Sequence, residues 1–258
     1  MNTPPTPYHR LQRALTYALL ANLALIAAAF YFKGRFVDAT EILPPLLDEP
    51  IQSPTAAPPF TFSFRGRTYQ VQPQADYELW GLVVTHNDTG AISDIYHDWT
   101  SVDTKDIAVI WGFNLRNDNF HRVKFWSGPW TCYYQYPGSI VFFHDRISNN
   151  HLITAEDHVR DVISAVRVGD QGHLRGLLVN YQEVGGAGVR RQTSLSRTDA
   201  GNGACEVVFV RQMEILKRGA PLWYFLYSFS WLTLLGLLAA KVILFIREQK
   251  QAIARLQQ

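Results

Sequence analysis

Cysteine is nearly missing from this sequence: 258 residues carry only Cys132 and Cys205. No Cys-x-x-Cys pair exists, which argues against a dithiol redox motif. Other catalytic signatures are missing as well. No His-Glu-x-x-His fixes two metal ligands on one helix face. No Gly-x-Ser-x-Gly elbow presents a serine, and Ser139 in "YPGSIVF" has no recognisable triad context. The phrase "EVGGAGVRR" lacks the Gly-Lys-Ser/Thr ending that cradles a nucleotide phosphate, so it reads as a flexible connector. An excess of either charge is also lacking, with 24 Lys and Arg facing 22 Asp and Glu for a net of +2. Residues 60–216 hold 14 basic and 17 acidic side chains, a net of −3. A domain that grips phosphate backbones is expected to carry the opposite sign, so nucleic acid is not an expected partner.

Charge disappears altogether from two nineteen-residue runs, "ALTYALLANLALIAAAFYF" (14–32) and "LWYFLYSFSWLTLLGLLAA" (222–240). At about 1.5 Å per residue each spans roughly 28 Å, close to the hydrocarbon thickness of a bilayer. Both read as transmembrane helices with the lipid bilayer as partner. A cleaved signal peptide is the alternative for the first, given Arg10, Arg13 and the small residues Ala27, Ala28 and Ala29. The apolar run continues through Phe32, which favours an uncleaved anchor. Two spans place residues 1–13 and 241–258 on one side and the residues between on the other. Flanking positive charge is nearly balanced, with Arg10, Arg13, Arg247, Lys250 and Arg255 against Lys33, Arg35, Lys217 and Arg218. Both cysteines lie between the spans, and the second run opens on Trp223, Tyr224, Phe225 and Tyr227, an aromatic belt. These cues favour an extracytoplasmic central domain with cytoplasmic tails.

Residues 33–59 contain Pro44, Pro45, Pro50, Pro54, Pro58 and Pro59, a linker draped along the domain or the membrane surface. From residue 60 the pattern turns to strands. "FTFSFRGRTYQVQP" forms a hairpin around Arg65-Gly66-Arg67, and "YELWGLVVT" and "DIAVIWGF" are short apolar runs of a buried sheet. In "WTCYYQY" alternation places Trp130, Cys132, Tyr134 and Tyr136 on one face. Val159, Val162, Ile163 and Val166 then recur at helical spacing, with Thr154 as N-cap. Two more strands follow, "VGDQGHLRGLLVNY" and "ACEVVFVRQMEI". The fold class is therefore two transmembrane helices flanking one β-rich, α+β domain over 60–216, with an OB-like small barrel and one packed helix as the specific candidate. Beyond the second span, Leu235, Ala239, Val242, Ile246, Gln249, Ile253 and Leu256 follow a 4-3 spacing. That face of 235–256 either lies on the membrane or joins a homodimer.

The phrases "YELWGLVV", "DIAVIWG", "FWSGPWTC", "DRISNNHLI", "VGDQGHLRGLLVNY" and "TDAGNGACE" resemble, in that order, an uncharacterised family of bacterial membrane-anchored proteins. The resemblance covers roughly residues 60–210. It implies a bacterial source and one continuous domain, and it assigns no activity and no site residues. Together with the two spans, it leads to the expectation of an inner-membrane protein whose central domain is periplasmic.

The chemistry-bearing residues have two readings each. Cys132 and Cys205 are expected to form a disulfide closing a loop of about 73 residues, worth roughly 4 kcal/mol by loop entropy; two separate buried thiols are the alternative. Asn149, Asn150 and His151 form a candidate binding loop, or a structural turn before the helix. Trp126 and Tyr133 are a candidate outward aromatic surface. His86, His97, Asp98, His144 and Asp145 are the best metal candidates, although solvated or structural histidines are the expectation, with no cofactor. The expected role is a non-enzymatic binding module acting through other membrane or envelope proteins. The alternatives are a metal-dependent hydrolase and a ligand sensor signalling through the second helix.

Overall fold

The computed structural model describes residues 7–89, 100–128, 131–185, 190–199 and 205–256. The chain divides into two compact units, Met1–Arg35 with Ala220–Gln258, and Phe36–Gly219. Among the described residues there are three α-helices: α1 (Pro7–Lys33), α2 (Asp157–Ser164) and α3 (Pro221–Leu256). Ten strands accompany them: β1 (Ile51–Pro54), β2 (Phe60–Phe64), β3 (Arg67–Asn87), β4 (Asp103–Ile110), β5 (Lys124–Ser127), β6 (Cys132–Gln135), β7 (Ile147–Ile153), β8 (Gln171–Glu183), β9 (Arg190–Arg191) and β10 (Glu206–Lys217). Two long apolar terminal helices therefore flank a β-rich domain.

In the first unit α1 and α3 run antiparallel. Thr16 meets Lys241 at 3.1 Å, Asn22 meets Ser230, and the Phe32 and Trp223 rings stack 4.6 Å apart. Both helices are long and apolar enough to cross a membrane. The Asn22 Nδ2 donates to the Ser230 carbonyl at 2.9 Å, with both residues buried between the helices. That contact explains how the strongly polar member of the first apolar run is accommodated. Helix α3 continues unbroken past the end of its apolar run, and Leu235, Val242, Ile246 and Ile253 stay exposed along it.

In the second unit β2 turns into β3 at Arg65 and Gly66, with φ of 47° and 83°. Two consecutive positive φ values are what a tight two-residue hairpin needs, and glycine accepts the second without strain. β3 is 21 residues long and pairs along its length with β1, β2, β4 and β8. The Pro-rich stretch is part of this domain. It makes 3-10 turns at Ala39–Glu41 and Pro44–Leu47, fully buries Leu46 and then pairs as β1.

The main sheet is mixed. β3 pairs with β4, β4 with β7, β10 with β8 and β8 with β3, all antiparallel, while β7 and β10 are parallel. A parallel pair needs a crossover, and here α2 and β8 lie between the two strands in sequence. The first residues of α2 differ from expectation. Glu156 holds the N-cap position, while Thr154 sits two residues earlier and accepts the Glu156 N–H at 3.2 Å. Val159 and Ile163 lie one turn apart, so both face the sheet and are buried with Leu79, Ile107, Trp111, Leu152 and Val208.

Both faces of β4 are covered. Ile107, Val109 and Trp111 enter this central core, while Ala108 and Ile110 join a second core with Leu82, Phe120 and Phe142. That double burial explains why "DIAVIWG" shows no polar alternation. β8 and β10 approach closely at Gly176, where an added Cβ would lie 2.2 Å from the Phe209 carbonyl oxygen. Gly176→Ala is expected to lower stability by about 3 kcal/mol or more through overpacking against backbone. A urea midpoint equal to the wild type's would refute this.

Candidate functional site

Two neighbouring strands and the residue that leads into a third bring an acid, a base and a thiol together. Asp106 on β4 and His151 on β7 are directly opposed in the antiparallel register. Residues opposed in this way point to the same face. On the other side of β7, His151 is level with Val207 of β10, which places Cys205 two residues away, beside Asn149. Because Ile107 and Leu152 face the central core, their neighbours Asp106 and His151 project to the opposite face.

The contacts follow from that register. His151 Nδ1–H donates to Asp106 Oδ1 at 2.7 Å, and the two residues are only 4% and 3% exposed. The imidazole also lies beside the Cys205 thiol, near enough for its charge and hydrogen-bonding capacity to favour the thiolate. Asn149 Nδ2 donates to Cys205 Sγ at 3.4 Å, and Thr131, whose hydroxyl donates to the Cys132 carbonyl at 3.4 Å, is near enough to favour the thiolate. Asp106 Oδ2 has no hydrogen-bond partner among the described residues.

Burial and partners pull the proton affinities in opposite directions. Burial disfavours the His151 cation, but the Asp106 hydrogen bond, the Cys205 hydrogen bond and the Asp106 charge outweigh it and raise the imidazole to about 9. For Cys205, burial opposes the thiolate. The hydrogen bond and charge of His151, with Asn149 and Thr131, nevertheless bring it below the ordinary thiol range. Cys132 shows the contrary outcome, since burial first and the neighbouring Cys205 second push it to about 12. The two thiols are therefore shifted in opposite directions, Cys205 toward the thiolate and Cys132 toward the protonated form.

The site opens into a cavity of about 170 Å³. Cys132, Cys205, Thr131, Asn149, Arg197 and Glu206 are among the residues that line it. The segment carrying Arg197 is fixed to the β10 strand: Ser194 N–H donates to the Cys205 carbonyl at 3.0 Å, and Val207 N–H donates to Thr193 Oγ1 at 3.0 Å. Arg197 donates to the Pro50 carbonyl at 3.0 Å and lies over the Trp111 ring. Glu206 is buried, and its Oε2 has no hydrogen-bond partner among the described residues. Burial raises its carboxyl to about 8, against the lowering effect of its own backbone N–H; the Cys205 charge adds to the rise.

The expected Cys132–Cys205 disulfide is not present: both are free thiols. The partners explain the difference. Cys205 is engaged by His151, Asn149 and Thr131, whereas Cys132 packs against the second core. The Asn149, Asn150 and His151 phrase is not a loop but the middle of β7, buried on both faces. Asn149 and His151 meet Cys205, while Asn150 turns the other way and donates to Ser148 Oγ at 2.8 Å.

Trp126 and Tyr133 do face outward, 41% and 47% exposed, stacked at 5.6 Å across the β5–β6 pair. The metal candidates are not assembled among the described residues. His86 is near Asp88, Asp145 holds Arg146 at 3.1 Å, and His144 lies between the Tyr134 and Tyr136 hydroxyls at 2.6 and 3.0 Å. His97, Asp98 and Trp130 fall outside the described residues. A different trio, Asp38, Asp118 and His121, brings ligand atoms within 4.8 Å of one another on the exposed surface.

Sequence reasoning missed Asp106 and assigned Cys205 a structural role. The available signal was an acid opening the apolar run "DIAVIWG" and a histidine inside "NNHLI", both inside strands where burial demands a partner. No family model, curated protein or solved structure matches the chain.

Proposed function

We propose that this chain is a membrane-anchored thiol enzyme that transfers or hydrolyses acyl groups through Cys205. The carboxylate–imidazole–thiol line of Asp106, His151 and Cys205 carries the reading. A thiolate held beside an imidazolium, with a buried carboxylate orienting the ring, is the arrangement nucleophilic catalysis requires. The Cys205 thiolate adds to the carbonyl carbon of an ester, thioester or amide. The carbonyl oxygen takes the negative charge, and the Asn149 amide and Thr131 hydroxyl are the donors nearest to it. Collapse breaks the bond to the leaving group, which takes the His151 proton and leaves a thioester on Cys205. Neutral His151 then removes a proton from water, and hydrolysis restores the thiol.

The cavity favours a compact polar acyl group. Its volume is that of about six liquid-density waters, and Arg197 and Glu206 make part of its wall polar. We read the returning circuit of pairings, with one parallel pair and α2 between β7 and β8, as an OB-like barrel; the antiparallel β8–β3 pairing supports closure. The two apolar helices support an inner-membrane anchor with a periplasmic domain. The exposed stripe on α3 suits lipid or a second copy of the chain.

A thioester-forming activated ester applied to the purified full-length chain is expected to label Cys205 and not Cys132. The label is lost in Cys205→Ser and slowed at least about tenfold in His151→Gln. A membrane-impermeant maleimide should reach Cys205 in intact cells if the domain faces outward. Equal, slow acylation of both thiols would remove the enzymatic reading and return the domain to a non-catalytic binding or sensing role.

A further inference from the structure

We propose that Cys205 and Cys132 form a peroxide-responsive pair, in which Cys205 is oxidised first and Cys132 then closes onto it. The inference shares the Cys205 thiolate with the acyl-transfer reading but needs none of its chemistry. Three observations point to it. Both thiols line the same cavity, so an oxidant small enough to enter meets both. The two thiols are near enough for the Cys205 charge to act on Cys132, so the second thiol lies in the neighbourhood of the first. The two also differ in surroundings, because the Asn149 amide donates to the Cys205 sulfur while the partly buried Cys132 packs against the apolar second core. Thiolate character governs which cysteine a peroxide attacks, and a second thiol nearby converts the first product into a bridge.

The steps balance. The Cys205 thiolate attacks the terminal oxygen of a hydroperoxide; an S–O bond forms, the O–O bond breaks, and sulfur loses two electrons to the peroxide. The alkoxide released takes the His151 proton and leaves as an alcohol, or as water from hydrogen peroxide. Cys132 then attacks the Cys205 sulfenic acid. An S–S bond forms, the S–O bond breaks, and the hydroxyl leaves as water with the Cys132 proton. The net change is two thiols and one hydroperoxide giving one disulfide, one alcohol and one water. The Asn149 and Thr131 donors that favour a thiolate have no such role once sulfur is bridged, so the oxidised form is a blocked state of the same site.

The test uses the reduced full-length chain in detergent, treated with hydrogen peroxide at neutral pH and followed by peptide mass spectrometry. Cys205 is expected to be oxidised about tenfold or more faster than Cys132, and the product is an intramolecular Cys132–Cys205 bridge. In Cys132→Ser the reaction stops at a Cys205 sulfenic acid that dimedone captures. His151→Gln, which leaves Cys132 in place, slows oxidation of Cys205. Equal oxidation rates at the two thiols overturn the proposal, as does a Cys205 that proceeds to sulfinic acid in the wild type without bridging. Acylation of Cys205 without bridge formation sinks this inference and leaves the acyl reading standing. Rapid bridging without acylation does the reverse.

Discussion

Asp106→Ala is expected to lower the domain's stability by about 3–5 kcal/mol and to move Cys205 alkylation to higher pH. Removing one member of a buried, hydrogen-bonded charge pair leaves the other uncompensated, and that loss exceeds the value of the pair itself. Here the survivor is His151, buried on β7 with its Nδ1–H aimed at the missing carboxylate. Its folded pKa is raised above the ordinary histidine value to about 9. Its contribution to stability is therefore fully present below about pH 6.5 and is lost as pH rises through about 9. Cys205 has the opposite sign. Its folded pKa is lowered, so its contribution is present above the ordinary thiol range and is lost as pH falls through the folded value. Without Asp106 the imidazole loses its proton earlier, and the thiolate loses its cation. Urea denaturation and the pH profile of iodoacetamide alkylation measure the two effects. Asp106→Asn keeps the shape while removing the charge, and an alkylation profile unmoved in both variants would refute the relay.

Glu206→Gln is expected to stabilise the domain on the alkaline side and to leave it comparatively little changed in acid. The wild-type carboxyl is raised from 4.5 to about 8, so the folded state holds a proton that the unfolded chain releases. Its contribution is fully present below about pH 4.5 and is lost as pH rises through about 8, at up to about 1.4 kcal/mol per pH unit within that window. The groups facing it do not remove the penalty. Arg197 and the His151 cation favour ionisation, Cys205 opposes it, and the Tyr77 and Cys132 groups lie close enough to feel its charge. The glutamine amide has nearly the same shape and no proton to lose. The stability gap between the two proteins should widen from pH 5 to pH 7 and by less from pH 7 to pH 9, whereas a constant gap would show that Glu206 is ionised throughout.

Much of the fold was legible in the sequence because its causes are local. The uncharged runs became α1 and α3, and the Arg65-Gly66 pair made the hairpin because a tight turn needs positive φ. The alternation in "TCYYQY" left Tyr133 exposed and Tyr134 partly buried. The site was less legible because it depends on register between strands far apart in the chain. Asp106, His151 and Cys205 come from three of the phrases that the motif reading quoted, yet nothing local says that Asp106 lies opposite His151 rather than one residue aside. A one-residue slip would send His151 into the central core. Two cysteines in a domain expected to be exported suggested a bridge by scarcity alone, and scarcity carries no information about the imidazole beside one of them. The Asn149 to His151 phrase looked like a turn because asparagine favours turns, but tertiary pairing on both sides of β7 overrode that preference.

β10 is the last strand to be synthesised, and it inserts between β7 and β8. Until it does so, Cys205 has neither His151 nor Asn149 beside it and behaves as an ordinary, mostly protonated thiol. A nascent chain that has not yet placed this strand therefore lacks the surroundings that lower the Cys205 proton affinity. The thiol's final environment is thus assembled only at the closing event of folding, when β10 takes its place beside β7.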